Sequence, residues 1–338
     1  MNEALTLLFS MIGSANGVEN VQNWFAVDPA VAQRMHAATR ESSAFLQRVN
    51  VFSVMEKAGQ KIGIGGGLTA GRTNTDNNNR RHPHAKHNAV AIDYVCRQVD
   101  FDHAISYNEL DAWAHQKDFA NLVNQNNELS KALSLICMGF NGKTFAAQTD
   151  IVANPLLQDV ARGWLQRIRE DAPTQVVGWE PGQIGTTAKP VKFGDAQAFK
   201  NLDAVVVAHH NEFIGDEFAL RPDMVVLCNR KTLGDKYFGY VNEAGTKATE
   251  AKAANDLLIA NKQLGGLDAI AVPFFPEDTL LITPLANLSI YMQTAGKRRK
   301  VADEPQYNRI ANYESENLDY VVEEFDACAL IENLEFVA

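Results

Sequence analysis

The sequence predicts an α+β chain. Three observations carry that reading: punctuated helical segments in the first half, an apolar-poor tract between two strand patterns, and long strand-like runs near the C-terminus. The C-terminal runs are the most informative. Residues 280–291 and 312–325 flank a basic bridge, Lys297, Arg298, Arg299 and Lys300. In the second run Leu318, Tyr320 and Val322 alternate with Asn317, Asp319, Val321 and Glu323, the period of two expected of a half-buried strand. No catalytic constellation is spaced within this block. It reads as one wall built to be packed against, with the basic bridge as the turn between its strands.

From the N-terminus, the apolar run from Ala4 to Gly13 is about as long as a signal-peptide core. Glu3 precedes it with no Lys or Arg, which argues against export and for an amphipathic helix closed by Gly13 or Gly17. Asp28-Pro29 opens the next helix, an N-cap acceptor followed by a first-turn proline. Val51 to Ile64 and Val90 to Phe101 are strand-like, and residues 65–88 between them are Gly-, Asn- and His-rich. Such a two-stranded arm has too little apolar surface to fold alone and needs a neighbour to lie on.

Ser106-Tyr-Asn-Glu109 is a capping box. Behind it, Leu110 through Ile136 keep near-helical spacing up to Gly139 and Gly142, a helix of roughly 30 residues and about 45 Å. Its polar middle, Asn121 to Glu128, marks a spine laid across a sheet. Asn154-Pro155 predicts a further helix with Leu156, Leu157, Val160, Trp164, Leu165 and Ile168 as its stripe, ending before Pro173. Residues 174–194 read as a loop or hairpin. Residues 195–276 alternate a helix near Phe199 to Val206, a buried strand Met224 to Cys228, a short helix Thr232 to Val241 and a strand Ala269 to Val272, which together make a compact α/β lobe.

Composition narrows the function. The 338 residues carry a formal net charge of −10, which disfavours a dedicated nucleic-acid binder. Cys96, Cys137, Cys228 and Cys328 are scattered without a Cys-x-x-Cys pair and read as free thiols. No apolar run approaches the ~20 residues of a membrane span.

Several motifs invite chemistry and fail on context. Gly66-Gly-Leu-Thr-Ala-Gly71-Arg72 is one residue short of a phosphate-binding loop, and Asn74 to Asn79 cannot start the helix that such a loop requires. His82, His84 and His87 sit in the same polar tip and read as solvated. His209-His210 read as a helix end in polar surroundings. Lys297 to Lys300 read as a turn neutralised by Asp303 and Glu304, or as a patch meeting an acidic neighbouring subunit or DNA. Adjacent carboxylates such as Glu323-Glu324 point to opposite faces of a strand, so no acid/base pair is encoded locally. No enzyme, metal or cofactor is indicated.

With these segments in hand, the chain resembles the P2-like family of tailed-phage major capsid proteins, of the Hong Kong 97-type fold. The resemblance is carried, in order, by Glu41 to Asn50, Lys61 to Gly65, Leu110 to Ala114, Met138 to Gly142, Asn154 to Val160, Gly163 to Gln166, Asp235 to Phe238, Pro273 to Pro276, Asn287 to Tyr291, Asn312 to Ser315 and Asp319 to Glu323. It implies an N-terminal segment 1–24 removed on maturation, an N-terminal arm 25–52 and an extended hairpin loop 53–101. It further implies a peripheral domain 102–194 with the spine helix, an axial domain 195–276, and C-terminal strands 277–338 returning to the peripheral domain.

The same resemblance implies pentamers and hexamers closing an icosahedral shell in the virion, assembled in the bacterial cytoplasm. The implied partners are a scaffolding and maturation protease, a portal protein and packaged double-stranded DNA, with no membrane. The cleavage region falls at Asn23, Trp24, Phe25 and Ala26, and candidate inter-subunit contacts are Lys61, Arg72, Arg81, Lys297, Arg298 and Arg299. A non-viral nanocompartment shell of the same fold, or a nucleotide-binding enzyme, are the competing expectations. The Gly-, Asn- and His-rich tip and the short C-terminal tail after Phe336 depart from the family pattern.

Overall fold

The computed structural model describes residues 9–10, 12–14, 16–64, 89–113, 119–234, 236 and 262–337. Among these, two sheets organise the chain. The first runs β1 (Phe25–Ala26), β14 (Arg298–Glu304), β15 (Arg309–Val322), β13 (Leu288–Gln293) and β2 (Asn50–Val54), and β5 (Arg97–Asp100) and β6 (His103–Ser106) also pair along β15. The second runs β10 (Gln263–Leu264), β11 (Leu267–Ala271), β9 (Met224–Cys228), β12 (Leu280–Pro284), β16 (Ala329–Ile331) and β7 (Val176–Val177). A two-stranded hairpin, β3 (Ala58–Ile64) against β4 (Ala89–Val95), stands apart from both, in register from Ala58↔Val95 to Ile64↔Ala89. β8 (Val191–Phe193) and β17 (Leu334–Phe336) form a further pair.

The expected single C-terminal wall is in fact divided between the two sheets. β12 and β16 lie with β9, whereas β13, β14 and β15 lie in the first sheet. Pro284 and the 3-10 turn Leu285–Asn287 carry the chain across, and Asn287 pins the crossing. Its amide donates to Glu324 O (2.8 Å) and Thr283 Oγ1 (3.0 Å), and its Oδ1 accepts from Glu324 N (2.6 Å). This Asn is buried because both crossings need their backbone groups satisfied at one point.

β15 is buried on both faces, which corrects the half-buried expectation. Leu318, Tyr320 and Val322 enter the main core, while Val321 packs with Cys96 and Tyr291 under the root of the hairpin. The main core gathers Trp164, Tyr320, Phe140 and Phe275, and a second core holds Val205, Val206, Val226, Ile282 and Ile331 beside the second sheet.

The helices among the described residues include α1 (Pro29–Glu41), α2 (Tyr107–Trp113), α3 (Phe119–Asn141), α4 (Trp164–Asp171), α5 (Leu202–Phe213) and α6 (Asp216–Ala219). Asp28 caps α1 by accepting from Ala30 N at 2.8 Å. The capping box of α2 forms reciprocally: Ser106 N donates to Glu109 Oε2 (3.0 Å) and Glu109 N to Ser106 Oγ (3.2 Å). The predicted spine is described as α2 and the 23-residue α3, with residues 114–118 outside the described residues. Only the C-terminal half of α3, from Ala132 to Phe140, sinks into the main core; Asn121 to Gln125 stay at the surface.

Two expectations change here. The helix expected from Asn154-Pro155 begins nine residues later, after Gly163. Leu157 adopts a left-handed backbone (φ 58°), and the carbonyls of Gln158 and Asp159 accept from Lys143, Thr144 and Ala146, so they are not available for an α-helical ladder. His209 is not in polar surroundings: it is buried, its ring stacks on Phe213, and its Nδ1 lies 2.7 Å from Val205 O. The strand at Met224–Cys228 lies where the sequence placed it, and most of the helix expected over 232–241 lies outside the described residues.

Candidate assembly elements and the buried charge cluster

The hairpin is fixed to its own subunit at its root. Tyr94 lies across Gly59, where an added Cβ would stand 2.7 Å from the phenol oxygen, and its ring meets Tyr291 edge-on at 5.0 Å. Lys61 donates to Glu323 O at 2.7 Å and ion-pairs with the Glu323 carboxylate, which also accepts from Tyr291 OH at 3.2 Å. Arg167 of α4 reaches Asp93 O (3.1 Å) and the Asp319 carboxylate (2.5 Å). β4 is therefore tied to both the main core helix and the longest strand.

A denser arrangement joins the arm helix, the spine and the sheet. Glu314 and Glu316 stand two residues apart on β15 and so share a face. Lys131 of α3 reaches both carboxylates, at 2.7 and 2.6 Å. Lys297 lies 3.0 Å from Glu314 and also ion-pairs with Glu316. All four side chains are buried, and Lys297 is 0% exposed. His36 of α1 brings Nε2 to 3.7 Å from Glu316 Oε1, and Arg299 donates to Asn312 Oδ1 at 2.9 Å.

Electrostatics decides the protonation of this square. Burial alone would push the Glu314 carboxyl up, but the ammonium groups of Lys131 and Lys297 outweigh it and hold it at about 2. Glu316 is held well below the usual carboxylate range by the same balance, with His36 adding to it. Burial opposes the charge of Lys131, and Glu314 and Glu316 more than offset that, so its pKa is raised. Two lysines and two glutamates thus face one another in the interior as ion pairs.

The N-terminal segment covers the neighbouring edge. Phe25 and Ala26 pair with Arg299 and Arg298, Val27 N donates to Lys297 O (3.1 Å) and Val301 N to Val21 O (2.9 Å). Ile12 and Val21 bury against Leu110, Val301 and Ile310. Trp24 is 56% exposed beside Tyr313.

These placements revise the sequence reading of the basic bridge. Lys297 follows a 3-10 turn and Arg298 opens β14, so the run is not a solvated turn. Lys297 and Arg299 are buried, and their partners, Glu314 and Glu316 for Lys297 and Asn312 for Arg299, belong to their own chain, so neither is available to a neighbouring subunit in this conformation; Arg298 remains exposed. Lys61 is engaged within the subunit. Arg72, Arg81, His82, His84 and His87 lie outside the described residues. Lys131, Glu314, Glu316, Arg167 and Asp319 were not singled out from sequence as a site. A signal existed for two of them: Glu314 and Glu316 share the parity of Leu318, Tyr320 and Val322, so a core-facing strand carries two carboxylates that need cations.

Among the described residues no group of His, Cys, Asp and Glu is placed to hold a metal ion, and no helix is long and apolar enough to cross a membrane.

Comparison with known proteins agrees with this architecture. The family described as phage major capsid protein, P2 family, matches residues 5–334. The capsid protein of Escherichia phage P2 is 38% identical over 330 residues, covering 96% of this chain and 92% of that protein. The major capsid protein of Serratia phage KSP20 is 37% identical over 315 residues, covering 92% and 89%. Among solved structures, the satellite phage P4 procapsid including size determination (Sid) protein superposes with a TM-score of 0.81 at 36% identity, covering 100% of this chain and 99% of that one. The capsid of an empty GTA particle, at 16% identity and TM-score 0.50, over 93% of this chain and 100% of that one, shares the Hong Kong 97-type fold. The chain is a structural protein of the virion, and it belongs to the P2 family of phage major capsid proteins.

Proposed function

We propose that this capsid protein builds an icosahedral shell from pentamers and hexamers, with the arm (25–52) and the extended loop (53–101) lying across neighbouring subunits. The observation that carries this reading is the β3–β4 hairpin, which stands outside both main sheets and is anchored at its root by Lys61 and Arg167. A two-stranded ribbon of this kind is marginal without a surface to lie on. Several weak contacts per subunit then compound through multivalency into a closed shell.

The remaining domain plan accompanies this reading: a peripheral domain over 102–194 and 277–338, and an axial domain over 195–276 whose sheet also takes β12 and β16. The partners are a scaffolding and maturation protease, a portal protein and packaged double-stranded DNA. A size-determining factor of the kind named for the similar procapsid is a further candidate. The segment up to Asn23–Ala26 is removed on maturation, at a region where the exposed Trp24 offers access. Arg298 is the exposed cation of the basic bridge left to meet an acidic neighbour or DNA.

Co-expression with the scaffold-protease, followed by electron microscopy, tests the assembly. Uniform closed shells are expected, and a small discrete oligomer under all conditions would refute the reading. Intact mass of the virion chain tests the removal separately: a chain of residues 1–338 overturns it.

A further inference from the structure

We propose that the loop over residues 143–159 is a contact surface between copies of this chain, with Ile151 and Val152 as the side chains that a second copy covers. The proposal rests on the shell reading above and adds a contact that uses neither the arm nor the extended loop.

The loop is held by its own polar groups. Lys143 N and Thr144 N donate to Gln158 O (2.8 and 3.1 Å), and Ala146 N donates to Asp159 O (2.8 Å). The Asp159 carboxylate, itself buried, accepts from Asp150 N at 2.8 Å. Asp150 Oδ1 in turn accepts from Val152 N (2.9 Å) and Ala153 N (3.2 Å), and Asp150 O accepts from Asn154 N (2.8 Å). Both limbs of the loop and its tip are therefore tied to one another.

What this lattice holds in place is apolar and faces solvent. Val152 is 89% and Ile151 68% exposed, and Phe145 and Leu156 are exposed beside them in the loop. Leu156 and the exposed Phe274 flank the last turn of α3, where Cys137 Sγ donates to Leu156 O (3.2 Å) and Asn141 Nδ2 to Phe274 O (2.7 Å). Phe274 (φ 59°) shares the left-handed backbone of Leu157, a conformation that bulky side chains rarely adopt. At Leu157 the result is a side chain packed against the main core while Leu156 stays outside. An isolated chain gains nothing by presenting two large aliphatic groups to water on a fixed loop. Held in this way, they lose little freedom when covered, so binding energy concentrates on them.

Charge selects the occupant. Between Lys143 and Asp159 the only charged side chain is Asp150, and its carboxylate is turned to the loop's own backbone N–H groups. Each copy carries a formal net charge of −10, so two copies repel at long range and meet best where the surface is uncharged. A basic partner finds no carboxylate to pair with on this loop. A second acidic copy finds apolar surface and no opposing charge.

The test places the photocrosslinker p-benzoylphenylalanine in place of Val152 in the full-length chain, co-expressed with the scaffold-protease. Denaturing gels and mass spectrometry then identify what is joined to it. The expected product is a dimer of this chain, linked through position 152. No adduct, or an adduct only to the scaffold-protease or to another protein, overturns the contact. Val152→Asp measures its weight: closed-shell yield falls at least ~10-fold, the scale of one dominant interface side chain, while the thermal midpoint of the unassembled chain is unchanged. If that midpoint falls, Val152→Ser supplies the comparison. Shells at the unaltered yield also overturn the proposal. The crosslink is read in whatever assembly forms. A small oligomer joined through position 152 therefore counts against the shell reading alone, and closed shells without the adduct count against the contact alone.

Discussion

Arg167 on α4 and Asp319 on β15 meet at 2.5 Å (Nη2 to Oδ2), and the same carboxylate oxygen accepts the backbone N–H of Val95 at 2.9 Å. One ion pair thus fixes the last turn of the hairpin root to the core helix and to the longest strand. Arg167 is 4% and Asp319 12% exposed, so the pair is shielded from solvent and from screening.

Replacing Arg167 with Ala leaves Asp319 without its cation in a largely buried site. We expect a loss of about 3–5 kcal/mol, the range for breaking a buried pair on one side. Urea unfolding measures the loss, and amide exchange over 92–96 reports release of the hairpin root. The same change at Arg162, whose partners Glu170 and Asp171 are solvent-accessible, costs about 0–1 kcal/mol. Equal losses at the two sites would contradict this account.

The four-charge square makes a non-additive prediction. Lys131→Met leaves Glu314 and Glu316 sharing Lys297, and costs about 3–5 kcal/mol. Glu316→Gln alone leaves two ammonium groups with one carboxylate and costs a similar amount. Together they restore charge neutrality, so the double variant loses less than the sum by about 1–3 kcal/mol. A double-mutant cycle by urea denaturation measures the coupling; strict additivity would deny that the charges act as a unit.

Acid should dismantle the same square. The Glu314 pKa is lower in the folded chain, at about 2, than in an unfolded one, so its contribution is complete above the unfolded value. That contribution is lost as pH falls from about 4.5 toward about 2, where the folded state takes up the proton. Urea midpoints should therefore fall steeply across that window, and Glu314→Gln should flatten the fall while lowering stability near neutrality.

Gly139 on α3 sits under the indole of Trp164, where an added Cβ would lie 2.3 Å from Cζ3. Trp164 cannot yield, because it is fully buried, donates Nε1–H to Ser289 O at 2.9 Å and abuts Tyr320 at 4.9 Å. Gly139→Ala should cost about 1–3 kcal/mol despite the better helix propensity of alanine. Thermal unfolding reads it against Gly234→Ala, where an added Cβ meets nothing within 4 Å. No difference between the two would refute the packing argument.

Local signals were legible wherever chemistry acts over a few residues. The capping box at Ser106, the proline start after Asp28 and the buried run Met224–Cys228 lie where sequence placed them, whereas the hairpin is shorter than the expected runs 51–64 and 90–101, because Val51–Val54 and Arg97–Asp100 join the first sheet instead. The Asn154-Pro155 helix start misled because its residues bond to a distant loop, Lys143 to Ala146. The charge cluster was only half legible: strand parity gives the face of Glu314 and Glu316, but not the helix laid over it.

The strand and helix signals and the coreless hairpin were legible in neighbouring residues, where apolar periodicity and capping are written, and the ordered motifs from Glu41 to Glu323 carried the family resemblance. The sequence also supplied the basic run at Lys297, whose acidic partner it placed on another subunit. Tertiary structure decided that this partner is the chain's own β15, and that Lys131, 166 positions away, completes the square. Which charges meet depends on sheet order and on which helix crosses the sheet. These are long-range choices made by burial of the whole chain, and a buried ammonium has to find whatever carboxylate that burial brings to it.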